Sequence, residues 1–359
     1  TSATEITFSY AGDIFTVPIT GGLARRITTS PGVELFPRFS PDGKQIAFIG
    51  NYDGNSDIYV ISNTGGEPQR VTYGVDLPNL PERMGPDKII MQWTNDGQKI
   101  LYRGRQDSWN SLVGKLYYVN KNGSLPEELP LPRSGFASLS PDGTKLAFNR
   151  IFREFRTWKR YRGGQADDVW IYDFNTKNTE NITNNPAQDI IPMWSGNKVY
   201  FLSDRDKIMN IFVYDLNTKE TKKVTNFTEY DVKFPSLGGK YISFSNGGYI
   251  YVLNTENDKY EKVPIYITED FPSTRNEIIN VSDYIENREI APDGSAAVFA
   301  ARGDIFIVPA EKGNIVNLTK SNGVHDRNPK WSPDGKWIAF ISDKSGEDEV
   351  YIIKPDGTN

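Results

Sequence analysis

A four-residue turn, Ser-Pro-Asp-Gly, recurs down this chain and constrains what the chain can become. Full copies are Ser40-Pro41-Asp42-Gly43, Ser140-Pro141-Asp142-Gly143 and Ser332-Pro333-Asp334-Gly335; near copies are Thr94-Asn95-Asp96-Gly97 and Ala291-Pro292-Asp293-Gly294. Proline at the second turn position fixes φ at about −65°, and Asp-Gly supplies a tight, left-handed end. Each copy precedes a short apolar strand, such as Ile46-Ala47-Phe48, and then a second, such as Ile58-Tyr59-Val60. A polar strand comes next, ending as in Arg70-Val71-Thr72, Asn181-Ile182-Thr183 or Lys223-Val224-Thr225. The spacing of roughly 40–55 residues is the period of a four-stranded propeller blade. Apolar inner strands with a polar outer edge are what blades stacked face to face require. No long window carries helical periodicity.

Eight units can be counted. The first, from Ile6 to Thr28, lacks its own turn and innermost strand, and the last stops at Asn359 before its outer strand. The stretch Arg302-Gly303-Asp304-Ile305-Phe306-Ile307-Val308-Pro309 nearly repeats Ala11-Gly12-Asp13-Ile14-Phe15-Thr16-Val17-Pro18, as a restart would. The expected fold is all-β. Residues 1–283 form a six-bladed β-propeller, and residues 284–359 the opening blades of a second, incomplete one. The alternative is a single ring of seven or eight blades, in which the ragged start and end complete one blade together.

Composition excludes several functions. The chain has 46 acidic and 41 basic residues, so the basic excess of a general nucleic-acid surface is absent. No apolar run of about 18 residues is present, so no membrane span is expected. With no cysteine, disulfides and thiol catalysis are excluded. Thr1-Ser2-Ala3-Thr4 shows no leader pattern. The expected compartment is the cytoplasm, with the periplasm after leader removal as the alternative.

A Ser-His-Asp mechanism needs an imidazole beside the serine. The single histidine, His325, lies in Gly323-Val324-His325-Asp326, which matches Gly32-Val33-Glu34-Leu35 elsewhere in the repeat. A repeat position that accepts either residue is structural, so no catalytic residue is expected. Neither a metal site nor a cofactor is expected. Asp53 with Asp57, and Asp204 with Asp206, lack the ordered ligands of a calcium loop. The sequons at Asn181 and Asn317 coincide with the outer-strand ending. The strongest candidate site is the basic run Arg150, Arg153, Arg156, Lys159, Arg160 and Arg162, interleaved with Phe152, Phe155, Trp158 and Tyr161. Guanidinium forks bind carboxylates, and aromatics add apolar contact beside them. Such a loop suits docking of a neighbouring domain or subunit, or contact with peptides.

The segment Arg153-Glu154-Phe155-Arg156-Thr157-Trp158-Lys159-Arg160-Tyr161-Arg162-Gly163-Gly164, with Asp167-Asp168-Val169-Trp170-Ile171-Tyr172-Asp173, resembles tricorn-like proteases. The blade repeat is also similar to TolB-type propellers. The tricorn resemblance implies a six-bladed propeller, then a seven-bladed one, then a PDZ domain between two catalytic domains. It implies degradation of short peptides by a serine nucleophile in those catalytic domains, and assembly into a homo-oligomer. This chain would then be a non-catalytic part acting in substrate or product gating and domain docking, with peptides and the remaining protease domains as partners. No nucleic-acid or membrane partner is implied. The alternative is a stand-alone TolB-like interaction module. In the family an arginine pair near Asp76 to Met84 holds the substrate carboxylate; here the pair reads Glu82-Arg83, so only Arg83 carries over.

Overall fold

The repeated turn closes as its composition requires. In the computed structural model, which describes residues 3–30, 32–74, 86–105, 114–151, 160–268 and 278–358, Gly43, Gly143 and Gly335 take φ of +72°, +72° and +70°. The Ser40 hydroxyl donates to Asp42 Oδ1 at 2.6 Å and accepts the Gln45 N–H at 3.0 Å. Ser140 and Ser332 repeat both bonds, and Thr94 substitutes for serine with Asp96. Ala291 lacks the hydroxyl; there Asp293 instead accepts from Ser295, through both N–H and Oγ. Every turn thereby delivers an antiparallel hairpin.

The chain divides into two compact units, Thr1–Asp270 and Phe271–Asn359. In the first unit the described residues form six successive antiparallel sheets. The first has three strands, Glu5–Tyr10, Asp13–Pro18 and Arg25–Arg26; the other five have four. In each of these five, strands follow chain order from the innermost outward, as in Glu34–Phe39, Gln45–Gly50, Asp57–Ser62 and Gln69–Arg70. This is an all-β propeller architecture. After the sixth sheet, Ile265–Tyr266 runs parallel to Gly22–Leu23 beside the first sheet. The Gly22 N–H donates to Pro264 O and the Ala24 N–H to Tyr266 O, each at 2.8 Å. Ile6 pairs with Val17, whereas Ile338 pairs with Trp331 and Ile353.

Adjacent sheets are glued by apolar faces. Ala47, Ile49, Ile58 and Val60 pack against Ile90, Trp93, Ile100, Tyr102 and Val119 of the following sheet, and all are buried. Val169 and Ile171 meet Trp194, Val199 and Phe201 in the same way. Full burial of one such side chain contributes roughly 1.5–3 kcal/mol.

Four of the sheets also carry an internal clamp. The Thr72 hydroxyl at the end of the outer strand donates to Asp57 Oδ1 at 2.7 Å and accepts the Ile58 N–H at 2.9 Å. Thr183 serves Asp168 and Val169 likewise; Thr225 serves Asn210 and Ile211; Thr319 serves Asp304 and Ile305. This explains the recurrent apolar-Thr ending: its hydroxyl satisfies buried polar groups that would otherwise cost stability.

The innermost strands share a bulge. Phe36, Ile191, Phe234 and Asn328 have φ of +53°, +54°, +49° and +53°, and each precedes a proline. The ladder shifts register at the same places. A bulge bends the strand and re-aims its side chains.

The second unit contains a four-stranded sheet, beginning at Ile285–Ile290, and a three-stranded one, Arg327–Trp331, Ile338–Ser342 and Glu349–Ile353. Val298, Ala300, Ile305, Ile338, Phe340 and Ile353 form its core. On the other face of the last strand Val350 and Ile352 are 75% and 56% exposed.

Candidate functional site

A channel-like cavity of about 1530 Å³ is lined by residues of all six sheets of the first unit, from their innermost strands and from later strands of the sixth. Its wall is largely apolar and aromatic, with Phe36, Trp93, Phe136, Trp194 and Phe234 among the lining residues. Three of its polar members share one register position, two residues before a turn. That position holds Arg38, Gln92 and Ser138 in successive sheets, and Glu289 and Lys330 in the second unit.

These side chains tie each sheet to the next. Gln92 Oε1 accepts the Leu139 N–H and the Ser138 hydroxyl, both at 3.1 Å. Ser138 Oγ in turn accepts the Trp194 N–H at 3.0 Å, and Glu289 accepts the Trp331 N–H. Arg38 cannot accept, so the link is reversed. Its Nε donates to Met91 O at 3.1 Å, and the Trp93 indole donates to Arg38 O at 2.9 Å. The sequence alone does not mark this position, because it accommodates arginine, glutamine, serine or glutamate.

A second polar seam runs four residues earlier. Glu34 is fully buried and accepts from the Thr28 hydroxyl at 3.0 Å and the Tyr52 hydroxyl at 2.9 Å. Burial pushes its pKa up to about 7, against the lowering effect of the two hydroxyls; Asp13 adds to the rise and Arg26 opposes it. In the second unit the structural counterpart of Glu34 is Asp326, not His325. Glu34 N donates to Gly12 O as Asp326 N does to Gly303 O, and Phe36-Pro37 matches Asn328-Pro329 in register. The Gly-Val pairs of the sequence match are offset by one residue, because the proline bulge, not the glycine, sets the register. His325 is exposed, and its N–H donates to Asp343 Oδ1 at 2.7 Å.

Among the expected site residues, Arg83, Arg153, Arg156, Trp158 and Lys159 lie outside the described residues. Arg160, Tyr161 and Arg162 lie in a non-strand segment between the strands Lys145–Asn149 and Val169–Asp173. Arg162 already has a carboxylate: Nη1 lies 2.9 Å from Asp204 Oδ1, and Nη2 donates to Asp204 O at 3.0 Å. Arg160, with φ of +55°, donates from Nε to Lys207 O at 3.2 Å. Both arginines thus bridge the fourth sheet to the loop Asp204-Arg205-Asp206-Lys207 of the fifth. The loop aspartates weighed for calcium are ion-pair partners: Asp57 and Asp53 of Arg70, Asp204 of Arg162, Asp206 of Lys223. No helix among the described residues is long and apolar enough to cross a membrane.

Comparison with known proteins agrees with this architecture. Residues 1–259 match the family described as the tricorn protease N-terminal β-propeller domain. The chain belongs to that family. A tricorn protease homolog of Saccharolobus solfataricus is 28% identical over 98% of this chain, but the match covers only 32% of the homolog. A crystal structure of the tricorn protease aligns over the whole chain with a TM-score of 0.78 and 25% identity, covering 34% of that protein. The chain thus spans about a third of the length of these tricorn relatives. A TolB from Agrobacterium tumefaciens aligns over 67% of the chain and 83% of its own length, with a TM-score of 0.51 and 18% identity, a likeness of fold alone.

Proposed function

We propose that this chain is the non-catalytic propeller region of a tricorn-like serine peptidase that degrades short peptides, and that its channel gates substrate or product. The observation that carries this reading is the aromatic-lined channel of about 1530 Å³ in a tricorn-family propeller whose sequence holds one histidine. That histidine lies in the second unit, and its backbone is bound to Asp343. The peptide-cleaving groups belong to domains outside the third of the protein spanned here.

Within this reading, residues 1–283 close as a six-bladed ring and residues 284–359 open a second one. The parallel pair of Ile265–Tyr266 with Gly22–Leu23 supports closure. The exposed Val350 and Ile352 support an open end, because they match the buried Ile58 and Val60 of the second sheet in register. Arg160 and its neighbours 153–159 form a docking surface toward other protease domains, Arg83 a peptide contact, and the full-length protein a homo-oligomer in the cytoplasm.

The test is peptidase activity. The purified chain should not turn over short fluorogenic peptides, whereas the full-length protein should. Turnover by the chain that survives His325→Ala and repurification would refute the assignment.

A further inference from the structure

The first sheet differs from the other five of its unit where it meets the channel. Among the described residues no strand lies inside Glu5–Tyr10. The Ile27 N–H donates to Ile14 O as the Val71 N–H does to Ile58 O. Asp13–Pro18 therefore corresponds to Asp57–Ser62, and Glu5–Tyr10 to Gln45–Gly50, the second strand of its sheet. The place that Glu34–Phe39 fills in the second sheet has no described counterpart in the first.

The main chain turns toward that place at alternate residues. Ile14 directs both of its main-chain groups outward: its N–H donates to the Thr28 hydroxyl at 2.9 Å, and its carbonyl accepts the Ile27 N–H at 2.7 Å. Ser9, opposite Ile14 in the ladder, therefore faces the inner side, and so do Thr7 and Glu5 by the antiparallel alternation. The cavity lies against this edge, since every residue from Ala3 to Tyr10 lines it. Successive side chains of a strand point to opposite faces, so a cavity that reaches all of them meets the strand edge-on. Across the cavity the sixth sheet presents Ser243, Ser245, Ile250 and Val252, which share one face because Ser243 pairs with Val252 and Ser245 with Ile250. Polar groups flank the edge as well. Thr7 and Ser9 hold the positions of Ala47 and Ile49 in the second sheet. Their hydroxyls are shielded from water and have no hydrogen-bond partner among the described residues.

A strand edge with unpaired main-chain groups is a template for another strand, and the paired main chain supplies the affinity. Residues directly opposite Thr7 and Ser9 in such a pair lie at about 4.5–5.5 Å between Cβ atoms, within reach of a hydroxyl-to-hydroxyl bond.

We propose that the inner edge of Glu5–Tyr10 binds an extended peptide by main-chain pairing, as the innermost strand of the first sheet, with hydroxyl side chains of the peptide opposite Thr7 and Ser9. This proposal rests on the peptide-channel reading above. Recognition runs through the middle of the peptide and not through its ends, so a peptide capped at both termini binds.

The experiment uses the intact chain labelled with nitrogen-15 at threonine and serine. The probes are acetyl-Val-Thr-Val-Thr-Val-amide and the same peptide N-methylated at its three central residues, which blocks both edges and keeps the side chains. Saturation-transfer NMR reads binding, and amide hydrogen exchange reads the site. The unmethylated peptide should bind and the methylated one should not. At ten times its Kd the peptide should slow exchange of the Thr7 and Ser9 amides about tenfold. The Thr16 amide, which faces Arg25 in the ladder, should not change. Thr7→Pro removes one donor of the edge and leaves those of Ile6 and Phe8 to the ladder; it should weaken binding about three- to tenfold. Thermal unfolding checks that this variant folds, and the exchange measurement on the unmodified chain decides the matter if it does not. Peptide binding without a change at Thr7 and Ser9, or equal binding of the methylated peptide, would overturn the edge site while leaving the peptide channel standing. Slow exchange of both amides before any peptide is added would show the edge covered by the chain itself and would also overturn the proposal. Absence of binding by either peptide would overturn the channel reading together with it.

Discussion

The Tyr52 hydroxyl donates to Glu34 Oε1 at 2.9 Å across a turn of the second sheet, in a seam where Glu34 has no access to water. Burial raises the pKa of Glu34 to about 7 and also raises that of Tyr52. A carboxyl whose folded pKa lies above its ordinary 4.5 binds a proton that the unfolded chain has released. Its contribution is full below pH 4.5 and is lost as pH rises through about 7. Stability to urea should therefore fall between these values, by up to about 3 kcal/mol. Glu34→Gln should flatten the slope and leave the protein more stable at pH 8. An unchanged slope in the variant would remove Glu34 as its source. The turn aspartates act elsewhere on the scale: the Ser40 hydroxyl lowers the pKa of Asp42, and Asp142 falls to about 2. Their contribution is present above the ordinary 3.8 and is lost only below it, outside the Glu34 window.

Removing a clamp hydroxyl should be expensive. Thr72→Val leaves the Ile58 N–H and an oxygen of Asp57 without the partner they have in the fold. The expected loss is about 1–3 kcal/mol in denaturant unfolding. A surface threonine such as Thr64 should cost less than about 0.5 kcal/mol. Equal effects at the two sites would contradict the clamp.

The bulge makes a prediction of unusual sign. Phe234 is 54% exposed and sits at φ +49°, where a β-carbon is strained. Phe234→Gly should leave stability unchanged or raise it, although an aromatic ring is lost. Phe234→Val should lower it by about 1–2 kcal/mol. Thermal unfolding of both variants checks the ordering.

Strands and turns are legible in the sequence, because Ser-Pro-Asp-Gly and alternating apolar runs encode local geometry directly. The third strand Val169–Asp173 and the clamp residue Thr183 fall where the repeat places them. The clamp partner is also within reach of the sequence: Asp57 and Thr72, like Asp168 and Thr183, lie 15 residues apart. The seam is not. Pairing Glu34 with His325 follows the glycines, whereas the chain takes its register from Phe36-Pro37 and Asn328-Pro329. The channel residue Arg38 escapes notice for another reason: its fellows Gln92 and Ser138 share a position in space and no side-chain chemistry. Arg162 reads as free basic surface, because its partner Asp204 lies 42 residues away in the next sheet.

That pairing separates two arginines the sequence treats alike. Arg162→Glu should destabilise the fourth and fifth sheets, since it places a second carboxylate beside buried Asp204. Arg160→Glu, which loses one bond to Lys207 O, should leave the fold intact and weaken assembly of the full-length protein. Thermal unfolding and sedimentation of the two variants distinguish the effects. A normal oligomer with Arg160→Glu would count against docking through this loop.

Closure of the first six sheets into a ring is tested most directly by ending the chain at Asp283. Blades bury their faces only against neighbours, so a closed ring survives removal of the residues beyond it, and an open one does not. The fragment 1–283 should stay monomeric and unfold in one cooperative urea transition, with the midpoint of the first unit in the full chain. A fragment that aggregates, or unfolds without a cooperative transition, would show that residues 284–359 belong to the same ring and that the six-bladed division is wrong.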